Sequence, residues 1–354
     1  MKHLLIKKIC NKVLSDTSLV ELKNRSNDCN EIDVSILCLC YNHEQYLKRC
    51  LDGFLSQKVN FNVEVIIHDD LSSDNSVSII KEYQKKYPTI IKPIFEKENQ
   101  YSKGVNIENT IMSKIAKGKY IAICEGDDYW SDPYKLALQV EMFRSFSNCT
   151  YVVHKTKSVD LNGRIIRLIP ENKYKSTLFK REYIVPKIII KYQFHTTSYM
   201  FRKVDYDIYC NNLPEFAKRM KVGDYALQLY FSNLGDTVYI DRTMSVHVDG
   251  TSGSWTNANR NADVEQRQTH RKIMRDCFQL FDEYTNFEFH SAFLKNYNKS
   301  KMHELYENGD YQTILENKGY SKELKKYDRK SYRTIYLKIN HPKLYKFLKA
   351  LKNE

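Results

Sequence analysis

Short apolar runs of strand length, each ending in a polar loop, constrain this chain more than any other feature. Four of them stand early in the sequence, at 33–40, 63–68, 90–95 and 120–124. A strand covered on both faces of a sheet reads as a near-continuous hydrophobic run, whereas a half-exposed strand alternates. Between the runs lie stretches of helical period. Leu47, Leu51, Phe54 and Leu55 share one face over 45–56, Val77, Ile80, Tyr83 and Tyr87 share another behind a cap at Asp74, and a third stretch at 107–116 is closed by Gly118. Strand and helix alternating at this cadence predict an α/β fold with a mostly parallel sheet and helices on both faces. Ligands of such sheets bind at the carboxyl ends of the strands.

The remainder is less regular. Leu5, Ile9 and Val13 fall at helical spacing in an otherwise polar start, so residues 1–31 read as a short helix and linker without a strand. Asp132 followed by Pro133 reads as a cap and first helical position, ahead of Leu136, Val140 and Phe143 on one helix face. Residues 150–202 read as strand-rich with a turn at Asn162-Gly163, 223–234 as a helix, and 238–240 and 244–248 as two short strands. Beyond about residue 260 the chain is helical and polar. The expected organisation is a leading segment at 1–31, a catalytic domain at 32–258 with halves 32–149 and 150–258, and a helical, basic C-terminal extension at 259–354.

The net charge of +13 is uneven: 321–354 holds eleven Lys or Arg against three acidic residues. There Leu344, Phe347, Leu348 and Leu351 fall at helical spacing among Lys343, Lys346, Lys349 and Lys352, which suits an anionic membrane surface. A solvated basic helix or a protein contact fits the same pattern. No apolar run approaches the roughly 20 residues that cross a bilayer, and the start lacks a secretory pattern. Nine scattered cysteines, without metal-type spacing, suit packed thiols in a reducing compartment. The expected location is cytoplasmic or peripheral at the inner face of the cell membrane, with no nucleic-acid partner.

The chemistry concentrates in two acidic clusters. Glu125-Gly126-Asp127-Asp128-Tyr129-Trp130 follows the fourth apolar run, and carboxylates crowded this closely repel one another unless they share a cation. Hard oxygen ligands of this kind suit Mg²⁺ or Mn²⁺, with a diphosphate completing the coordination; an acidic turn in water is the alternative. Asp69-Asp70, with Asp74, follows the second run. Asp70 either contacts a base or ribose or stabilises its turn. A calcium loop is excluded, since Asn75 and Lys81 occupy the positions where Gly and Glu are required. The loop Cys40-Tyr41-Asn42-His43-Glu44 has no glycine, which argues against dinucleotide and P-loop folds and against sugar-phosphate nucleotidyltransferases.

The strings VSILCLCYNHEQYLKRCLDGFLSQ, EVIIHDDLSSDNS, KGKYIAICEGDDYWSDPYKLALQ and VGDYALQL, in this order, resemble glycosyltransferase family 2, the inverting enzymes of GT-A fold. The resemblance spans residues 33–253, and the Glu-Gly-Asp-Asp-Tyr-Trp form is similar to capsular and other surface-polysaccharide transferases. It implies a nucleoside-diphosphate sugar donor, most simply UDP-linked, and a glycan or lipid-linked acceptor. It also implies that Tyr41 stacks on the uracil and Asp70 hydrogen-bonds to it, that Asp127 with Glu125 and a late histidine, His247, hold Mn²⁺ or Mg²⁺, and that Asp128 lies beside the donor sugar. Asp224 falls at the family's base position. Glu125 stands where Asp is usual and Gly223 where Glu is usual, so a non-catalytic sugar-nucleotide binder or membrane scaffold is the rival class. Trp130 and Trp255 are expected in loops beside the site, on a sugar face or in its wall. Acceptor contacts are expected from 150–258, around the segment His195-Thr196-Thr197-Ser198.

Overall fold

In the computed structural model, which describes residues 2–24, 31–220, 222–251, 260 and 262–350, the four apolar runs lie side by side. They form β1 (Val34–Cys40), β2 (Val63–Asp69), β3 (Ile91–Phe95) and β4 (Tyr120–Ile123), paired in parallel in the order β4-β1-β2-β3. Helices Leu47–Leu55, Ser76–Lys86 and Lys135–Ser145 pack into one apolar core with these strands, so the apolar character of most of β1 and β2 has its physical reason. All seven residues of β2 are buried.

The sheet continues through a mixed half. Strands β5 (Tyr129–Trp130), β6 (Cys149–Val159), β7 (Ile165–Ile169), β8 (Thr177–Phe179), β9 (Met200–Arg202) and β10 (Asp236–Val248) extend it to ten strands. β9 is the hinge of the topology: it runs antiparallel between β4 and β6, with Met200 opposite Ala122 and Arg202 opposite Tyr120. The chain entering β9 therefore arrives beside the carboxyl end of β4, where the acidic loop begins. β5 pairs antiparallel with β10, Tyr129 against Val246 and Trp130 against Ser245.

Several expectations are corrected. Residues 238–248 form one strand with the residues before them, and its register slips between Ile240 and Ser245 instead of breaking. Residues expected to be strand-rich include the helix Arg181–Ile190, whose Ile184, Val185, Ile188 and Ile189 are buried at helical spacing; β-branched residues carried that stretch toward a strand reading. The helix after Pro133 starts at Lys135, because Asp132 accepts the Tyr134 amide at 2.9 Å and pairs with Arg242. The leading segment does contain a strand, Val20–Glu21, paired with Lys58–Val59, and its helix Lys2–Leu14 buries Ile6 and Val13 while Leu5 is exposed.

Residues 261–354, with 189–191 and 215–221, form a second compact unit. Its helices gather Met302, Leu305, Ile314, Leu324 and Ile335 into a small core, and Asn317 and Asp328 cap two of them by accepting backbone amides. Among the described residues no helix is long and apolar enough to cross a membrane.

Candidate active site

At the carboxyl ends of β1 and β2, two loops are laced together by their own side chains. Asn42 and Leu71 adopt left-handed backbone, φ 56° and 67°, which turns each loop sharply away from its strand. The Asn42 amide donates to Ser72 Oγ at 2.9 Å, the His43 amide to Ser76 Oγ at 2.9 Å, and the Glu44 amide to Asp74 Oδ2 at 2.9 Å. In return the Ser73 amide donates to Asn42 Oδ1 at 2.8 Å and the Asn75 amide to Glu44 Oε2 at 2.9 Å. Asp74 also accepts the Ser76 amide at 2.9 Å, so it ties the two loops together as well as serving the helix start. Tyr41 stands on this frame about half exposed. Asp70 is buried beneath it, one carboxylate oxygen accepting the Gln100 amide at 2.7 Å and the other the Tyr101 amide at 3.0 Å. Each oxygen keeps a second lone pair.

The acidic loop is pressed against β1 by Gly126, whose amide donates to Leu39 at 2.8 Å and where a Cβ would meet His43 Nδ1 at 2.8 Å. Extending the β5–β10 register by one residue sets Asp128 opposite His247. Asp128 Oδ1 lies 3.1 Å from His247 Nδ1 and accepts the Val248 amide at 2.9 Å. Its Oδ2 has no hydrogen-bond partner and lies 3.8 Å from His195 Nδ1, brought in by the segment ahead of β9. The two imidazole rings stand 4.2 Å apart, centre to centre, and one ligand atom each of Asp128, His195 and His247 falls within 4.8 Å of the others.

Next to this group, buried Asp127 accepts Thr251 Oγ1 at 2.8 Å through Oδ2 and leaves Oδ1 without a partner. An unmet lone pair on a buried oxygen costs about 1–3 kcal/mol, more on a charged group, and a cation would remove that cost. Burial pushes Glu125 well above the carboxylate range, reinforced by Asp127 and Asp128, and burial also raises Asp128. Burial works against a charged His247, but neighbouring Asp128 overrides it and raises its pKa; burial holds His195 well below the usual histidine range. A mixed oxygen and nitrogen donor set with orphaned carboxylate oxygens fits a divalent ion.

Trp130 is corrected to a wall position. The residue is buried, its ring 4.7 Å from that of Phe54 and 3.8 Å from Lys135 Nζ, and its indole donates to the Thr197 carbonyl at 3.1 Å. No ring face is left for a sugar. Trp255 lies outside the described residues.

Asp224 opens the helix Gly223–Leu234. Its Oδ2 accepts both the Tyr192 hydroxyl and Thr196 Oγ1, the latter at 3.3 Å, so the segment carrying His195 holds that one oxygen twice. Gln228, one turn on, holds the same segment by accepting the Gln193 and Phe194 amides at 3.2 and 3.1 Å. Burial raises the Asp224 pKa against those hydrogen bonds. Burial, with Asp224 adding to it, also pushes Glu108 up to about 7, and Glu108 and Asp224 both act on Glu125. Sequence reading placed His195 and Thr196 only in the acceptor half and missed Glu108 and Tyr192. The one available signal was His195 flanked by hydroxyl residues before an apolar strand.

Residues 35–209 match the family described as glycosyl transferase family 2. This domain belongs to that family. An uncharacterized Mycobacterium tuberculosis protein is 31% identical to this chain over 227 residues, 64% of this chain and 61% of the relative. The Escherichia coli UDP-Glc:alpha-D-GlcNAc-diphosphoundecaprenol beta-1,3-glucosyltransferase WfaP is 33% identical over 126 residues, 34% of this chain and 47% of its own length. The chain thus spans about three-fifths or less of these curated relatives. Among solved structures, S. aureus TarS 1–349 in complex with UDP-GlcNAc superposes with a TM-score of 0.54 at 16% identity, covering 88% of this chain and 92% of that one. That likeness supports the GT-A fold. The acidic loop and His195 lie within the matched residues, and Asp224 and His247 follow them in the chain.

Proposed function

We propose that this family 2 glycosyltransferase inverts configuration as it moves a sugar from a nucleoside-diphosphate donor, UDP-linked, to an acceptor hydroxyl in surface-polysaccharide or glycoconjugate synthesis. The observation that carries the reading is the pair of buried, unpartnered carboxylate oxygens, Asp127 Oδ1 and Asp128 Oδ2, on a loop at the carboxyl end of a parallel sheet. Tyr41 would stack on the base and the free lone pairs of Asp70 would accept from it. Asp127, Glu125 and His247 would hold Mn²⁺ or Mg²⁺, with Asp128 between them and the donor sugar. When bound, the ion neutralises charge on the departing diphosphate.

Inversion needs one displacement at the anomeric carbon, with a base on the acceptor side. Asp224 would take the acceptor proton, and Tyr192 and Thr196 would aim its carboxylate. WfaP, by its name, uses a UDP-glucose donor and a diphosphoundecaprenol-linked acceptor; a lipid-linked acceptor here would agree with a basic tail resting on an anionic membrane from the cytoplasmic side. Because burial raises the Asp224 pKa, the acceptor-dependent rate should climb with pH through a value above that of a free aspartate, since the base works only when ionised. The test is Asp224→Asn, assayed for UDP release against a panel of UDP-sugars and for donor affinity in the same preparation. Donor binding should persist while transfer falls about 10² to 10⁴-fold. A variant that keeps more than about a tenth of the rate removes Asp224 from the mechanism.

A further inference from the structure

The sheet face that carries Asp128 and His247 continues past them onto an edge hairpin. His247 pairs in parallel with Ser158 of β6, and Ser158 pairs antiparallel with Arg167 of β7. Residues directly opposite one another across strands share a face, so Asp128, His247, Ser158 and Arg167 form one row, on the side where the Thr156 and Ser245 hydroxyls meet. The row changes sign along its length. It has a carboxylate at one end, a buried hydroxyl without a hydrogen-bond partner at Ser158, and a guanidinium at the far end. Two strand spacings put the Arg167 backbone about 10 Å from that of His247. The Arg167 side chain is 45% exposed, and its ion pair with half-exposed Glu171 spans 3.9 Å, too long for a hydrogen bond. Its charge is felt at the site, since burial, then His247 and Arg167, hold the His195 pKa down.

Among the described residues β7 pairs with β6 alone, so it is an edge strand. The hairpin nevertheless exposes Leu161, Ile165, Ile166 and Leu168 by 42–65%. Single exposed apolar residues are ordinary on a folded domain, whereas four on one hairpin mark a surface that is covered in use. The Asp249 amide donates to the Val159 carbonyl at 2.8 Å, which fastens the hairpin against the chain two residues after His247. A cation on the site face and an apolar edge beside it fit one chemistry, an anionic head joined to a hydrocarbon chain. We propose that the hairpin 159–169 binds a lipid diphosphate, Arg167 donating paired N–H bonds to the diphosphate and Leu161, Ile165, Ile166 and Leu168 covering the first part of the chain. Its use as the acceptor, through a sugar carried on that diphosphate, rests on the transferase reading above.

The experiment measures binding of farnesyl diphosphate to the full chain in saturating UDP and Mn²⁺, which fill the donor side, and compares farnesol and inorganic diphosphate. Wild type should bind farnesyl diphosphate at least about tenfold more tightly than either fragment, because each fragment lacks one half of the contacts. Arg167→Gln should weaken that binding about 10 to 100-fold, as the loss of hydrogen bonds to a charged group does, and Arg167→Lys should fall between. Ile166→Ser combined with Leu168→Ser should weaken it about tenfold and leave inorganic diphosphate unaffected. The replaced side chains are exposed, and the fragment comparison needs no variant. Equal binding of farnesyl diphosphate and inorganic diphosphate overturns the inference, as does an Arg167→Gln variant that binds like wild type. Weaker UDP binding in Arg167→Gln, with farnesyl diphosphate unaffected, assigns the arginine to the donor and overturns it too. So does Arg167-dependent binding to phosphatidylglycerol vesicles without binding of free farnesyl diphosphate, which makes the hairpin a bilayer contact. If UDP-sugar turnover fails with every acceptor while farnesyl diphosphate still binds through Arg167, the transferase reading falls and this site stands.

Discussion

Asp127 and Asp128 are neighbours in sequence, but the structure gives them different surroundings. Asp128 is held by a histidine and a backbone amide, whereas Asp127 meets one threonine hydroxyl and keeps an oxygen free. Replacing Asp127 with alanine removes a buried carboxylate that is bonded to the Thr251 hydroxyl through one oxygen and has no partner on the other. Transfer should be lost and metal-dependent donor binding should weaken, with the melting temperature shifted by only a few degrees; turnover in saturating Mn²⁺ and a thermal melt check both halves. Glu108 offers a prediction of stability with a definite sign. Its pKa is pushed up from 4.5 to about 7, so the folded chain holds this proton more tightly than the unfolded one. Stability from this group is therefore highest below pH 4.5 and falls as pH rises to about 7. Glu108→Gln should stabilise the protein at pH 8 by roughly 1–2 kcal/mol, less than the full shift implies because the side chain is partly open to solvent. The gain should vanish near pH 4, and denaturant melts at the two pH values measure it.

At the scale of elements, the site depends on how closely three segments approach the ends of β1 and β4. Just before β4, the Gly118 amide donates to Ser35 Oγ at 2.8 Å, and Ser35 Oγ donates to the buried Glu64 carboxylate at 2.6 Å. A Cβ on Gly118 would lie 2.3 Å from the Ser35 nitrogen and 2.6 Å from the Val34 carbonyl carbon, both backbone atoms. Gly118→Ala should therefore destabilise the fold by about 1–3 kcal/mol through overpacking, read as a lower denaturation midpoint with unchanged cooperativity. β9 is three residues long and sits between longer strands, yet its direction decides which residues meet the acidic loop. Were it parallel to β4, His195 would emerge at the opposite edge of the sheet.

Over the whole molecule, excess positive charge gathers in the last tenth of the chain, and the described part of the helix Pro342–Ala350 exposes Leu344 and Leu348. Each basic residue near an anionic bilayer contributes about 1 kcal/mol. The full chain should co-sediment with vesicles that contain anionic lipid and not with neutral ones, and Lys343, Lys346 and Lys349 changed together to Glu should abolish this. Equal binding to both vesicle types, or to neither, refutes electrostatic attachment. The sequence by itself determined the α/β class, the parallel order of short strands and helices, and the placing of the acidic clusters at strand ends. Burial on both faces and helical period are local patterns, written in consecutive residues. The tertiary structure alone decided that Trp130 faces the core, that Asp128 meets His247 across 119 residues, and that His195, Tyr192 and Thr196 bring a second imidazole and two hydroxyls to the site. Those meetings follow from strand register and from the antiparallel course of β9. Because a one-residue slip turns every side chain to the opposite face, no local pattern can encode them.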